Sequence, residues 1–155
     1  MQQYELFING EFVPNGKREM IKVVNPATEE VISEVPKATA EDVERAVDAA
    51  YEAQKSWAKV PPIQRAAYLM ELADLVRENL DLFAKVNSEE VGKTMAQSEA
   101  EAGFLPDYIK YFAAMARHIK GEIIPSDRPN DNIFLYKMPI GVVAGIMPWN
   151  FPLFL

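Results

Sequence analysis

Asn150 stands in Met147-Pro148-Trp149-Asn150-Phe151-Pro152, one amide side chain between two aromatics, framed by two prolines. An uncharged donor shielded from water and fixed beforehand is suited to hold an oxyanion as its charge develops. Pro148 and Pro152 restrict the backbone around it, so little reorganisation would be needed during reaction. The same residue types describe a buried proline turn equally well, with the Asn satisfying local backbone groups. The chain has no cysteine, which excludes a disulfide, a thiolate nucleophile and a thiolate metal site within it. Its single histidine, His118, falls near a helix end, where the macrodipole favours imidazolium, and no Ser or Cys motif accompanies it. It reads as a partly exposed residue, and no metal site is expected. Glu89-Glu90 and the Glu99/Glu101 pair read as solvated helix faces rather than carboxylate dyads. Gly141 to Gly145 has GxxxG spacing, but no G-x-G-x-x-G accompanies it, so it is no dinucleotide fingerprint.

The elements that must position Asn150 start with a short apolar run, Gly141-Val142-Val143-Ala144-Gly145-Ile146, expected as a fully buried strand leading into the proline loop. Upstream, Leu6-Phe7-Ile8 and Glu11-Phe12-Val13 flank Asn9-Gly10, a hairpin signal, and Asn15-Gly16 marks a further turn. Met20 to Val24 and Val31 to Val35 are strands separated by the turn Asn25-Pro26-Ala27-Thr28. Four helices follow. Thr39 and Asp42 form a capping box for the first, whose apolar face carries Val43, Ala46, Val47, Ala50 and Trp57. Pro61-Pro62 ends it and opens the second, striped by Leu69, Leu72, Ala73, Val76 and Leu80. The third runs from about Leu80 to Val91 and stops at Gly92, a left-handed cap. The fourth begins near Thr94 and closes at Gly121. Its stripe of Phe104, Tyr108, Tyr111, Phe112, Met115 and Ile119 is expected as core, with a kink or a later start at Pro106. Glu122 to Ile124 and Ile133 to Lys137 are strands on either side of a long polar loop.

At 155 residues, with 49% hydrophobic and 25% charged residues, the chain has the balance of a globular domain. A net charge of -7 argues against a nucleic-acid partner. From Pro139 to Leu155 no residue carries a formal charge, but the segment is short for a membrane span and its prolines would break a spanning helix. No membrane association is expected. No secretory signal is visible at the start, and a cytoplasmic location fits the absence of cysteine.

Ile146-Met147-Pro148-Trp149-Asn150-Phe151-Pro152-Leu153 resembles the Pro-Trp-Asn-Phe-Pro segment of the NAD(P)-dependent aldehyde dehydrogenase superfamily. Leu6 to Phe12 resembles that family's opening hairpin, and Val24-Asn25-Pro26-Ala27-Thr28-Glu29-Glu30-Val31-Ile32 its next landmark. Arg65 and Glu90-Val91-Gly92-Lys93 fall in the expected order. Gly121-Glu122-Ile123-Ile124 through Asp127-Arg128-Pro129 and Asn132-Ile133 is most similar to the lactaldehyde and glycolaldehyde dehydrogenase branch. The resemblance implies an α/β fold, the N-terminal part of a Rossmann-like cofactor domain. Residues 1–121 would be its first strands and helices, 122–139 a β arm for oligomerisation, and 140–155 the first buried strand with the active-site loop. It implies oxidation of a small hydroxyaldehyde with NAD or NADP, NAD favoured, by a homo-oligomer (dimer or tetramer). A cysteine would attack the aldehyde and a glutamate would activate water for deacylation. Of that machinery only the oxyanion donor would be here, as Asn150. Met147, Pro148, Trp149 and Asn150 would line the cofactor and Phe151 the substrate tunnel. The other groups are expected beyond Leu155, so the 155-residue chain alone is expected to be inactive. The alternatives are a semialdehyde dehydrogenase of the same superfamily and a non-catalytic interaction module built on the same fold.

Overall fold

The tight turns of the N-terminal third set its strand register. In the computed structural model, which describes residues 2–155, strands β2 (Leu6–Ile8) and β3 (Glu11–Val13) pair antiparallel, Leu6 opposite Val13. Asn9 and Gly10 between them have φ of 55° and 81°, the two positive values a type I′ turn requires. β4 (Met20–Val24) pairs antiparallel with β5 (Val31–Pro36), and β1 (Gln2–Gln3) adds parallel on the other side of β5. The turn between β4 and β5 is held by the Asn25 side chain, whose Oδ1 accepts the Ala27 N–H at 2.9 Å.

Helix α1 (Ala40–Trp57) carries the expected capping box of Thr39 and Asp42. α2 (Pro62–Glu78) follows Pro61, and α3 (Leu80–Val91) ends at Gly92 with φ of 78°. α4 (Met95–Ala114) has its own capping box, Thr94 with Gln97. It does not wait for Pro106: the helix runs through that residue, which is fully buried. It ends earlier than expected, in a 3-10 turn at Met115–Arg117, before Gly121.

The buried faces differ from the most apolar ones. α4 packs against both α2 and α3, and the seam is built from Ala66, Ala73, Val76, Ala84, Ala102 and Ala113, with Ala73 and Ala102 fully enclosed. Small side chains let the helix axes approach, so larger neighbours on the same helices turn outward. Leu69 and Leu72 are exposed, as are Phe104, Tyr111, Phe112, Met115 and Ile119 of the stripe expected as core. Val43, Ala46, Val47, Ala50 and Trp57 of α1 are exposed as well, and the buried residue of that helix is Asp42.

Beyond α4, β6 (Glu122–Pro125) and β7 (Asn132–Leu135) form an antiparallel hairpin with both faces exposed. Gly121 sits against the Leu135 carbonyl, where no side chain would fit. The expected buried strand at residues 141–146 is corrected: it forms no strand, and Ile146 is 94% exposed. A parallel strand needs hydrogen-bonded neighbours on both sides, and none lies beside this run among the described residues. No described helix is long and apolar enough to cross a membrane.

Candidate functional site

The residues around Asn150 return to the helices after the unpaired run. Phe154 N–H and Leu155 N–H both donate to the Phe151 carbonyl, at 3.2 and 3.0 Å, closing a turn. Phe154 then packs on the outer aromatics of α4, with ring centroids 4.3 Å from Tyr108 and 5.2 Å from Phe104. This turn and the start of α4 enclose an open groove of about 800 Å³, lined by Trp149, Asn150, Phe151 and Phe154 on one side. Gly92, Lys93, Glu101 and Phe104 are among the residues on the other.

Asn150 is exposed, and no hydrogen bond engages its side chain among the described residues. The turn reading, in which that amide satisfies local backbone groups, is not what the structure adopts. Trp149 is 83% exposed and Phe151 is also exposed, so the aromatic shielding expected on either side of the amide is incomplete here. The Phe151 ring meets a cation: Lys93 Nζ lies 4.2 Å from its centroid, a cation–π contact. Met147 is exposed, and neither it nor Pro148 lines the groove.

Beneath the groove lies an ionic cluster that runs against expectation. Glu101, read as part of a solvated face, is only 5% exposed. Its Oε2 accepts from Asn87 Nδ2 of α3 at 2.8 Å and from Lys93 Nζ, with which it forms an ion pair. Its Oε1 accepts the backbone N–H of Leu153 at 3.1 Å. Burial works against ionising this carboxyl, but Lys93, Asn87 and the Leu153 N–H together outweigh it and hold it below the usual glutamate range. Lys93 is fixed in turn by its own backbone, whose carbonyl accepts from Ser88 Oγ at 2.8 Å. Spacing gives no signal for Glu101: it stands three and seven residues before Phe104 and Tyr108, on the aromatic side of α4, and its burial depends on what the fold packs against it. Glu99 is exposed as expected, and so is His118.

Chemically, the arrangement offers an uncommitted amide beside an apolar groove, with a fixed ammonium on the far wall neutralised by a buried carboxylate. Among the described residues, the groove lining includes no cysteine, serine or histidine.

The family model described as "Aldehyde dehydrogenase family" matches residues 12–155. The chain is 46% identical over 153 residues to lactaldehyde dehydrogenase of Escherichia coli (strain K12), covering 99% of this chain and 32% of that protein. The crystal structure of lactaldehyde dehydrogenase from Escherichia coli superposes with a TM-score of 0.94 at 46% identity, over 97% of this chain and 31% of that one. A structure of 3,6-anhydro-L-galactose dehydrogenase in complex with NAP gives a TM-score of 0.92 at 38% identity, over 98% of this chain and 32% of that one. The chain thus spans about a third of the length of the relatives it matches.

Proposed function

The chain belongs to the aldehyde dehydrogenase family, and from that premise we propose that it supplies Asn150 as oxyanion donor to the NAD(P)-dependent oxidation of a small hydroxyaldehyde such as lactaldehyde or glycolaldehyde. The observation that carries this reading is an exposed Asn150 side chain with no hydrogen-bond partner among the described residues, on the wall of an apolar groove. An amide so placed gains little from an uncharged carbonyl and more as charge grows on the oxygen. The 46% identity to a lactaldehyde dehydrogenase supports the substrate class.

Met147, Pro148, Trp149 and Asn150 are the proposed cofactor wall, and Phe151 the proposed substrate contact. The exposed Trp149 ring and Met147 side chain offer flat apolar surface, which suits a ring system lying along them. These residues would hold the nicotinamide of NAD or NADP, with NAD favoured, and the chemistry such a group would supply is hydride acceptance. The 155 residues contain no thiol to attack the aldehyde, so the chain by itself is proposed to be inactive. Residues 1–121 and 140–155 are assigned to the cofactor domain. Residues 122–139 are assigned to an arm that pairs with another copy in a dimer or tetramer, a reading supported by the two exposed faces of the β6–β7 hairpin.

The test is Asn150→Ala in a chain of full family length that contains these 155 residues. Losing the donor is expected to lower kcat by roughly 10²–10³, about 3–4 kcal/mol of transition-state stabilisation, with a much smaller change in KM. Unchanged acylation and hydride-transfer rates in a variant with parental thermal stability would refute the assignment. Reduction of NAD by the 155-residue chain alone, free of host enzyme, would refute its proposed inactivity.

A further inference from the structure

We infer that Glu101 is the positioning residue of the Asn150 loop: its buried carboxylate ties the backbone at Leu153 to α4 and so keeps Asn150 on the groove wall. The catalytic consequence rests on the reading of Asn150 given above; the structural content does not.

Residues 136–148 form no strand among the described residues. The loop is held from beyond Asn150 by three contacts: Phe154 against Phe104 and Tyr108, Lys93 over Phe151, and Leu153 N–H on Glu101. Aromatic packing tolerates sliding and rotation of the rings. The Leu153 bond is directional and acts on the main chain, three residues from Asn150, so it sets where the chain passes. A carboxylate acceptor makes it stronger than a neutral pair. The carboxylate is itself prevented from turning, because Oε2 is taken by Asn87 of α3 and Lys93 of the α3–α4 turn while Oε1 serves the loop. Lys93 touches both systems, pairing with Glu101 and lying over Phe151. One buried acid therefore joins α3, α4 and the loop.

Glu101→Gln keeps the side-chain volume but cannot offer oxygens to both sides. Lys93 Nζ and Asn87 Nδ2 both claim one oxygen and the Leu153 N–H claims the other, so the Gln oxygen goes to the two-donor side and its NH2 faces the Leu153 N–H. In the 155-residue chain, hydrogen exchange at the Leu153 amide is expected to accelerate at least about tenfold, as losing a bond to a charged group implies. Glu99→Gln, on the exposed side of α4, is expected to leave it unchanged. Equal Leu153 exchange in folded Glu101→Gln and parent overturns the proposal. If Glu101→Gln does not fold, the unmodified chain still decides. On acidification the Glu101 side-chain carboxyl carbon and the Leu153 amide proton should shift with one common midpoint below the usual glutamate range, the facing groups being Lys93, Asn87 and the Leu153 N–H. Two separate midpoints overturn it.

In a chain of full family length, Glu101→Gln is expected to lower kcat on lactaldehyde about tenfold with KM within about twofold, and to have no further effect on top of Asn150→Ala. Full additivity of the two substitutions overturns the positioning role. Silence of Asn150→Ala alone counts against the oxyanion assignment and leaves the Leu153 exchange result as the arbiter of positioning.

Discussion

Asp42 shows how much one carboxylate can organise. It accepts from Arg18 at both oxygens, Nε to Oδ2 at 2.8 Å and Nη2 to Oδ1 at 2.6 Å, and from the Thr39 backbone N–H at 3.0 Å. Arg18 also donates through Nη1 to the Pro14 carbonyl at 2.7 Å, so the pair ties the loop before β4 to the start of α1. The Arg18 guanidinium, then the Thr39 N–H, hold the Asp42 carboxyl well below the usual aspartate range, against the opposing effect of burial. A folded-state pKa below the unfolded one gives stability that is present above the ordinary value of 3.8 and is lost as pH falls toward the folded pKa. The urea midpoint of the chain should therefore fall steadily as pH drops below 3.8. Asp42→Asn should start lower at neutral pH and vary less through that window. Parallel pH curves for the two proteins would place the linkage elsewhere. At this scale the Thr39–Asp42 capping box was legible, because the two residues are near in sequence. The Arg18 fork and the Glu101 cluster join residues distant along the chain, and spacing alone does not mark them.

Among the elements, the end of α3 is a tightly constrained junction. Gly92 adopts φ of 78°, and a Cβ there would stand 2.7 Å from Cγ of Pro26 in the β4–β5 turn. Gly92→Ala thus combines a left-handed backbone with a clash against a rigid ring. We expect a loss of about 1–3 kcal/mol in urea unfolding, and a change under about 0.5 kcal/mol would show that the turn moves aside freely. Helix boundaries were readable from Pro61-Pro62, Gly92 and Thr94, since these residues act on the backbone locally. Helix orientation was not. Periodicity marks an apolar stripe, but α2 and α4 each present two faces, one of alanines and one of large residues, and close approach selected the small one.

For the whole molecule, the consequence is a surface rich in large apolar side chains. Tyr51, Tyr68, Leu72, Phe104 and Tyr111 are exposed on the helices, and Ile140, Val143 and Ile146 on the run before the loop. Large exposed apolar side chains in such number favour association where they adjoin, and a net charge of -7 opposes it. The 155-residue chain is expected to self-associate as its concentration rises in sedimentation velocity, and to enhance the fluorescence of a hydrophobic dye. A sharp monomeric boundary across a hundredfold concentration range, with cooperative urea unfolding, would instead favour the free-standing module.

Most turns and helix limits follow from the sequence by itself, because each depends on residues within a few positions of one another; the end of α4, in a 3-10 turn before Gly121, does not. Asn9-Gly10 dictates its hairpin through positive φ, and Gly92 ends its helix for the same reason. The Asn150 segment was singled out by residue type and by resemblance to a family of known chemistry. Tertiary structure decided what lies beneath it. Which helix face is buried depends on how closely axes approach, and whether a glutamate is solvated depends on what packs over it. Glu101 became the acid under the groove because α3, α4 and the loop around Leu153 converge there, and that convergence is a property of the folded chain.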